Sequence, residues 1–305
     1  MAKCLSVFWV KYYHGIYMPR KRISVIDMLK RIAAMLFLVL TLAAVPIVYS
    51  ADRQESISLP IVMYHHISPE AKRLGKYVIT PEEFEKDLQY LKENGYESIS
   101  SEQLKGWMDG KESLPEKPVM ITFDDGYEST AVYACPLLEK YNMHGIVAVI
   151  GAVTTQYSEI PDHQLGYSHM SWEAVAALDS GSVMEVQCHT NNMHKLQPRK
   201  GCNKMSGENI ADYRKVFSED INTFQNLFEK YTGHKSDVLA LPFGSYCEET
   251  LNIAEKAGFR IVFTCSEKIN YISENDIKPI QVLGRFNRPH GITSEKFFAK
   301  WNKES

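Results

Sequence analysis

Two adjacent carboxylates, Asp124 and Asp125, follow an apolar segment and are the residues of this chain best suited to catalysis. A run of apolar or β-branched residues from Val119 leads into Phe123, a pattern that predicts a buried strand. Gly126 then ends the strand, so both acids would stand at its carboxyl end, where parallel-sheet proteins commonly build active sites. Neighbouring side chains of a strand point to opposite sides, so one acid could hold a cation while the other moves protons. The alternative is an ordinary turn, because Asp and Gly are common turn residues.

Two histidines follow a second predicted strand and extend this constellation. The strand at 183–188 runs into His189, and His194 comes five residues later. A third predicted strand ends at the Pro-Phe-Gly segment 242–244. Carboxyl ends of parallel strands share one face, so we expect Asp125, His189 and His194 to converge. Two neutral imidazoles and one carboxylate are a usual ligand set for a catalytic divalent transition metal. The alternative to metal binding is that the two histidines are simply surface imidazoles.

The metal hypothesis also gives the neighbouring Asp124 a role. A divalent ion polarises a carbonyl group and lowers the pKa of the water bound to it. A carboxylate that stands beside the ion without binding it is placed to take a proton as the general base. We therefore interpret Asp124 as a candidate base next to a metal-binding Asp125.

Predicted strands and helices alternate from residue 59 onward at the spacing of a parallel (β/α) barrel or an open α/β sheet. The clearest helix start is the segment 80–83, Thr-Pro-Glu-Glu, with an N-cap, a proline and a glutamate three residues after the cap. We also predict a long amphipathic helix at 209–232 and a last strand at 281–286. The sequence after residue 58 contains neither repeats nor long linkers, which favours a single domain at 59–305.

The first 58 residues differ from this body in charge and hydropathy. The chain has 305 residues and a formal net charge of −3, but residues 1–31 carry +6, which leaves −9 for the remainder. A mildly acidic body argues against a nucleic-acid partner, which requires a basic surface. Residues 32–50 are uncharged and long enough for a signal peptide or a single transmembrane anchor, and residues 51–58 form a polar linker. Basic residues before the apolar segment predict that the body is exported.

Together these motifs resemble the polysaccharide deacetylase family, carbohydrate esterase family four, whose fold is a distorted parallel (β/α) barrel. The similarity lies in Thr-Phe-Asp-Asp-Gly at 122–126, His-Thr…His at 189–194, Pro-Phe-Gly at 242–244 and Val-Met-Tyr-His at 62–65, and it spans roughly residues 59–298. The resemblance implies that Asp124 is the general base, that Asp125, His189 and His194 bind the metal, and that the backbone N–H of Phe243 stabilises an oxyanion. It implies zinc first, with cobalt, nickel, manganese and iron as alternatives.

Three features depart from the commonest pattern of that family. The two histidines are five residues apart where much of the family has four, and this spacing is similar to the branch that acts on biofilm poly-N-acetylglucosamine and related wall-associated glycans. The arginine that orients the base in many members is replaced by Ala240, and Arg285 is our candidate substitute. The segment that supplies the general acid has no clear match. His290 and His65 are the candidates, and a surface or structural role is the alternative for each.

The resemblance implies a metal-dependent hydrolase that removes N-acetyl groups from amino sugars of peptidoglycan, poly-N-acetylglucosamine or a chitin-like polymer. Its partner would be this N-acetylated polysaccharide. The protein would act on it outside the cell, either free or held by a membrane anchor that faces the cell wall. Two alternatives stay open. The same residues could act on an O-acetyl ester such as acetylated xylan, or the chain could be a catalytically inactive glycan-binding module.

Overall fold

The computed structural model describes residues 24–37, 56–274 and 278–301. The chain divides into two compact units, Met1–Gln54 and Glu55–Ser305. In the first unit, residues 25–37 form an exposed helix, α1. Within the described ranges, no helix is both long enough and apolar enough to cross a membrane. Residues 38–50 of the predicted apolar segment 32–50 lie outside the described residues, so its role stays a prediction.

The described part of the second unit contains thirteen strands, β1 to β13. Their bounds are Ser56–Leu59, Ile61–Tyr64, His66–Ile67, Val78–Ile79, Glu97–Ser98, Pro118–Phe123, Gly145–Val149, Met184–Cys188, Val238–Ala240, Ile261–Phe263, Asn270–Ser273, Gln281–Leu283 and Phe286–Asn287. The main sheet has the order β12-β10-β9-β8-β7-β6-β2-β13, and β5 pairs with β6. All pairs in this sheet are parallel, which confirms the predicted α/β class. β1 pairs with β11 and begins at Ser56, inside the predicted linker.

Helices α2 to α9 connect these strands. Their bounds are Pro81–Glu93, Ser101–Met108, Cys135–Tyr141, Gly151–Glu159, Trp172–Asp179, Ile210–Thr232, Glu248–Lys256 and Ser294–Phe298. Helix α2 starts as predicted, because the Thr80 hydroxyl accepts the N–H of Glu83 at 3.1 Å and the Glu83 carboxylate accepts the N–H of Thr80 at 3.0 Å. Helix α5 was not predicted. Its N-cap is Ile150, whose side chain cannot accept a hydrogen bond, so the sequence carries no start signal there.

The last two strands bring the two edges of the main sheet together. β12 pairs with β10 at one end of the strand order, and β13 pairs with β2 at the other. Only Gly284 and Arg285 separate these strands in the chain, and so short a link can join the two edges only if the sheet curls round. The predicted single strand at 281–286 was therefore wrong, because the chain breaks at Gly284 and Phe286 belongs to the opposite edge.

Successive residues of β6 alternate between two hydrophobic layers. Ile121 and Phe123 belong to the layer that packs under the outer helices. Met120 belongs to the other layer, which combines residues from β2, β6, β7, β9, β10 and β12, as expected for the inside of a curled sheet. Continuing the alternation places Thr122 and Asp124 on this inner side. The periodicity of the strand therefore aims Asp124 into the mouth of the barrel.

Candidate active site

The candidate catalytic residues follow neighbouring strands and leave the sheet at the same end. Tyr64 of β2 lies opposite Phe123 of β6, and Val149 of β7 lies opposite Cys188 of β8. The N–H of Asp124 donates to the Tyr64 carbonyl at 3.0 Å, so the ladder continues one residue past the strand. Because the strands are parallel, the residues that come next in each chain segment gather at one face.

Asp124 is held by a buried arginine. Nη1 and Nη2 of Arg285 donate to Oδ1 and Oδ2 of Asp124, both at 2.7 Å. Nη1 also donates to the Thr122 hydroxyl at 3.2 Å, and the guanidinium lies 5.3 Å from the ring of Phe263. The planar fork of arginine contacts a carboxylate at two points and so fixes its rotation as well as its position. Arg285 therefore holds Asp124 in this chain, where position 240 is alanine.

The surrounding charges keep Asp124 ionised although it is buried. Burial would raise the pKa of this carboxyl, but the Arg285 guanidinium and the charge of His189 more than offset it and hold the pKa well below its usual range. Burial would lower the pKa of His189, but the carboxylates of Asp124 and Asp125 raise it above its usual value. An ionised and oriented carboxylate is the form that can accept a proton.

Asp125 projects from a tight turn. Asp125 and Gly126 both have positive φ, 74° and 73°. A Cβ at position 126 would lie 2.8 Å from Cγ1 of Val149, so the turn needs glycine for its space as well as its conformation. Nδ1 of His169 lies 2.9 Å from the Asp125 carbonyl, and because a carbonyl can only accept, this nitrogen donates. Sequence reasoning missed His169, since it lies in the irregular segment before α6 and carries no motif.

Asp125, His189 and His194 converge on one point, and their potential ligand atoms all lie within 4.8 Å of one another. Nε2 of His189 is 3.4 Å and Nε2 of His194 is 3.3 Å from Oδ1 of Asp125. Metal–ligand bonds of roughly 2.0–2.1 Å in a tetrahedral site give ligand–ligand separations of about 3.3 Å. The same Oδ1 is buried and has no hydrogen-bond partner among the described residues. The donor set therefore fits a divalent transition metal.

Neighbouring groups orient both histidines. Nδ1 of His189 donates to the Ala240 carbonyl at 2.8 Å, so its Nε2 is left facing Asp125. The His194 ring packs against the Phe243 ring with centroids 4.6 Å apart. The His189 side chain is 2% exposed and that of His194 is 31% exposed. The cluster is thus open to solvent on the His194 side, from which a substrate can approach.

The two candidate acids have different surroundings. His65 directly follows β2, and it lies close enough to Asp124 and Asp125 for their charges to raise its pKa, although burial has the larger effect and lowers it. Its Nδ1 is buried and has no hydrogen-bond partner in the described ranges. His290 instead lies with its Nδ1 2.7 Å from Oε2 of Glu83, in the first turn of α2. The structure therefore brings His65 beside the carboxylates and pairs His290 with Glu83.

Comparisons with known proteins point to one family. The polysaccharide deacetylase family model matches residues 111–262. The chain is 29% identical over 215 residues to YxkH of Bacillus subtilis (strain 168). This alignment covers 69% of the chain and 66% of YxkH. The chain is 26% identical over 241 residues to the poly-β-1,6-N-acetyl-D-glucosamine N-deacetylase of Escherichia coli (strain K12), which covers 72% of this chain and 35% of that protein. The chain therefore spans only part of the length of either relative.

A solved structure of IcaB from Ammonifex degensii matches with a TM-score of 0.60 at 25% identity and covers 75% of this chain and 90% of that one. A de-N-acetylase from Aggregatibacter actinomycetemcomitans matches with a TM-score of 0.66 and covers 82% of this chain and 100% of that one. At 20% identity, this match supports a similar fold and nothing further. These matches confirm the distorted parallel (β/α) barrel.

Proposed function

We propose that this chain, which belongs to the polysaccharide deacetylase family of hydrolases, uses a divalent metal to remove N-acetyl groups from a cell-wall or extracellular polysaccharide. The observation that carries the proposal is the convergence of Asp125, His189 and His194 beside Asp124, which Arg285 holds at two points. Relatives named poly-β-1,6-N-acetyl-D-glucosamine N-deacetylases favour a β-1,6-linked N-acetylglucosamine polymer. We also propose that the body acts outside the cell, secreted or anchored.

Asp125, His189 and His194 would hold the metal. Zinc suits one carboxylate and two imidazoles best, with cobalt, nickel, manganese and iron as alternatives. Such an ion, when bound, polarises the acetyl carbonyl and lowers the pKa of its bound water. The hydrogen bond from His189 to the Ala240 carbonyl supports this assignment, because it turns the free ring nitrogen towards Asp125.

Three other protein groups act on the attacking water, the oxyanion and the leaving amine. Asp124, ionised and oriented by Arg285, takes a proton from the attacking water. The backbone N–H of Phe243, whose ring packs on His194, donates to the oxyanion that develops on the acetyl oxygen. An acid must then protonate the leaving amine. We assign this step to His65, because its Nδ1 is buried without a partner among the described residues beside the two carboxylates.

The first experiment measures acetate release by the purified full-length chain from β-1,6-linked and β-1,4-linked N-acetylglucosamine oligomers, beside Asp124→Asn and His189→Ala. We expect an activity that a chelator abolishes, that added metal restores, and that both variants lack. Asp124→Asn should still bind metal, because it removes the base and no ligand. His189→Ala should bind metal at least tenfold more weakly.

The other results separate the alternatives. Acetate released from O-acetylated xylan and not from N-acetylated oligomers would replace the N-deacetylase with an esterase. If the folded wild-type protein binds no metal and releases no acetate from either substrate, the glycan-binding module becomes the better interpretation.

The acid assignment has its own test, since an alkoxide leaves more readily than an amine. If His65 is the acid, His65→Ala should lower acetate release from N-acetylated oligomers by about 10²–10⁴-fold, the usual range for acid–base catalysis, and lower hydrolysis of p-nitrophenyl acetate much less. His290→Ala is the comparison and should leave both rates unchanged. A selective loss of amide hydrolysis in His290→Ala instead would assign the acid to His290.

A further inference from the structure

The loop between His189 and His194 is fixed by an acid on a distant helix. The peptide N–H groups of Asn191 and Asn192 donate to Oδ2 and Oδ1 of Asp220, each at 2.8 Å. Asp220 lies in the middle of α7, 29 residues after Asn191. One carboxylate thus accepts from two consecutive peptide groups of the loop that carries both histidines.

The other side of the same peptides is held by helix α5. The carbonyls of Thr190 and Asn191 accept the N–H groups of Gly151 and Ala152 at 3.0 and 2.8 Å. The first N–H groups of a helix have no partner within the helix, and the N-cap of α5 cannot satisfy them with its side chain. The loop therefore lies between two helices, with its carbonyls on α5 and its N–H groups on α7.

The loop needs such support because its conformation is unusual. Thr190 has φ of 66°, in the left-handed region that β-branched residues rarely adopt. Its hydroxyl accepts the N–H of Met193 at 3.2 Å, which closes the turn locally. Strained backbone of this kind persists where the surroundings determine it, and it clusters at functional sites. The relative placement of the two histidines therefore depends on contacts from outside the loop.

Helix packing does not explain an acid at position 220. Its neighbours Phe217, Ile221 and Phe224 are fully buried in the core, so Asp220 stands at the margin of an apolar helix face. Burying a carboxylate is unfavourable unless hydrogen-bond donors compensate for the lost water. The compensating donors here are the two peptide groups of the loop.

We infer that Asp220 is a positioning residue of the metal site, which acts by holding the loop so that His189 and His194 face Asp125. This inference rests on the proposed metal-binding role of the two histidines. Groups that orient metal ligands typically change metal affinity by 10–100-fold when they are replaced. In Asp220→Asn an amide NH₂ would face one of the two peptide donors, so one hydrogen bond is lost and the loop shifts.

The test measures the affinity of the full-length chain for Zn²⁺ and Co²⁺ by competition with a chelator, together with the visible absorption spectrum of the Co²⁺ form. We expect Asp220→Asn to weaken both affinities by about tenfold or more and to alter the Co²⁺ spectrum. Acetate release at low metal should fall in proportion, and excess metal should restore most of kcat.

Two control variants separate this effect from general damage to α7. Glu219→Gln makes the same carboxylate-to-amide change at the next position, which is exposed. Ile221→Val weakens core packing at the residue after Asp220 and leaves the hydrogen bonds of the loop in place. Both should keep the wild-type metal affinity and Co²⁺ spectrum, whatever their thermal stability.

Each result decides the inference. If the wild type binds metal and folded Asp220→Asn binds it equally well, the inference is overturned and the proposed function stands. If the wild type binds no metal, both are overturned. If Asp220→Asn does not fold, Asp220→Glu decides, because it keeps the charge but moves the carboxylate by one methylene relative to its two peptide donors. An unchanged metal affinity and Co²⁺ spectrum in folded Asp220→Glu would then overturn the inference.

Discussion

Asp124 and Arg285 form a buried ion pair in which geometry matters as much as charge. The Arg285 side chain is 0% exposed and that of Asp124 is 4% exposed, so both charges are removed from water. Such pairs add little net stability compared with apolar packing, but removing one partner leaves an unpaired buried charge and costs about 3–5 kcal/mol. The pair therefore adds little net free energy of unfolding. Its two-point contact is better explained by the orientation that it gives to Asp124.

A change from Arg285 to lysine separates orientation from charge. Arg285→Lys keeps a cation but replaces the planar fork by a single ammonium group, so the Asp124 carboxylate can rotate. We expect acetate release to fall by about 10²-fold, a usual effect of misplacing a reacting group, while metal affinity stays unchanged. Acetate release and metal titration check these two expectations, and thermal unfolding checks that the variant is folded.

A surface pair provides the matched control for this substitution. Nη1 and Nη2 of Arg260 donate to Oδ2 and Oδ1 of Asp109 at 3.2 and 2.8 Å, in partly exposed positions. Arg260→Lys should change stability by about 0–1 kcal/mol and leave activity intact. Equal activity in Arg285→Lys and Arg260→Lys would contradict the orienting role of Arg285.

At the scale of elements, the strongest local signal for a helix was a polar cap at its start. The capping box of Thr80 and Glu83 predicted α2, and the structure confirms it. Helix α5 has no such signal, because loop carbonyls from residues 190 and 191 supply its caps from far along the chain. The split between β12 and β13 was equally invisible, since both halves of 281–286 favour strand and only the tertiary pairing separates them.

The turn after β6 gives a prediction about backbone and space together. Gly126→Ala places a Cβ 2.8 Å from Cγ1 of Val149 at φ of 73°, next to Asp125. Gly207→Ala is the control, because Gly207 has the same φ of 73° with nothing within 4 Å of the added atom. Left-handed strain alone should cost about 1–2 kcal/mol in Gly207→Ala. We expect Gly126→Ala to lose clearly more, measured by urea unfolding, and equal losses would show that the Val149 contact relaxes freely.

Strand β8 carries a carboxyl whose ionisation opposes folding. Glu185 accepts the N–H of Ser101 at 3.1 Å, and its side chain is 16% exposed. Burial raises the pKa of Glu185 from its usual 4.5 to about 7, although the hydrogen bonds from Ser101 and the charge of Lys105 act in the opposite direction. The folded state therefore keeps this proton at pH values where the unfolded state has lost it. The stability contributed is complete below pH 4.5 and is lost as the pH rises through 7.

Glu185→Gln should remove this pH dependence. Each pKa unit corresponds to about 1.4 kcal/mol, so the variant should gain up to about 3 kcal/mol relative to wild type between pH 5 and pH 8. Urea unfolding of both proteins at the two pH values, at constant ionic strength, measures the difference. Any loss of the Ser101 hydrogen bond in the variant applies at both pH values and cancels. A difference that stays constant with pH would contradict the raised pKa.

At the scale of the whole molecule, the strand ends predicted where the site lies, whereas the contact of Arg285 with Asp124 was suggested only by the family resemblance and is confirmed by the structure. Asp125 and His189 follow parallel strands, so their meeting followed from the topology, whereas His194 lies on the loop after β8. Arg285 lies 161 residues after Asp124 and reaches it only because the link between β12 and β13 closes the barrel. Local sequence offered no reason for that contact. Our proposal of His65 over His290 as the acid similarly rests on the contact between His290 and Glu83.

A metal shared by residues after β6 and β8 should couple binding to the stability of the whole second unit. A ligand that binds only the folded state at 100 times its Kd adds about 2.7 kcal/mol of unfolding free energy. We expect this gain when Zn²⁺ is added to chelator-treated full-length protein, measured by urea unfolding. His189→Ala should abolish it, whereas His290→Ala should retain it, because His290 lies against Glu83 and away from the cluster ligands. An equal gain in His189→Ala would mean that the stabilising ion binds elsewhere, and the three-residue cluster would lose its role as the metal centre.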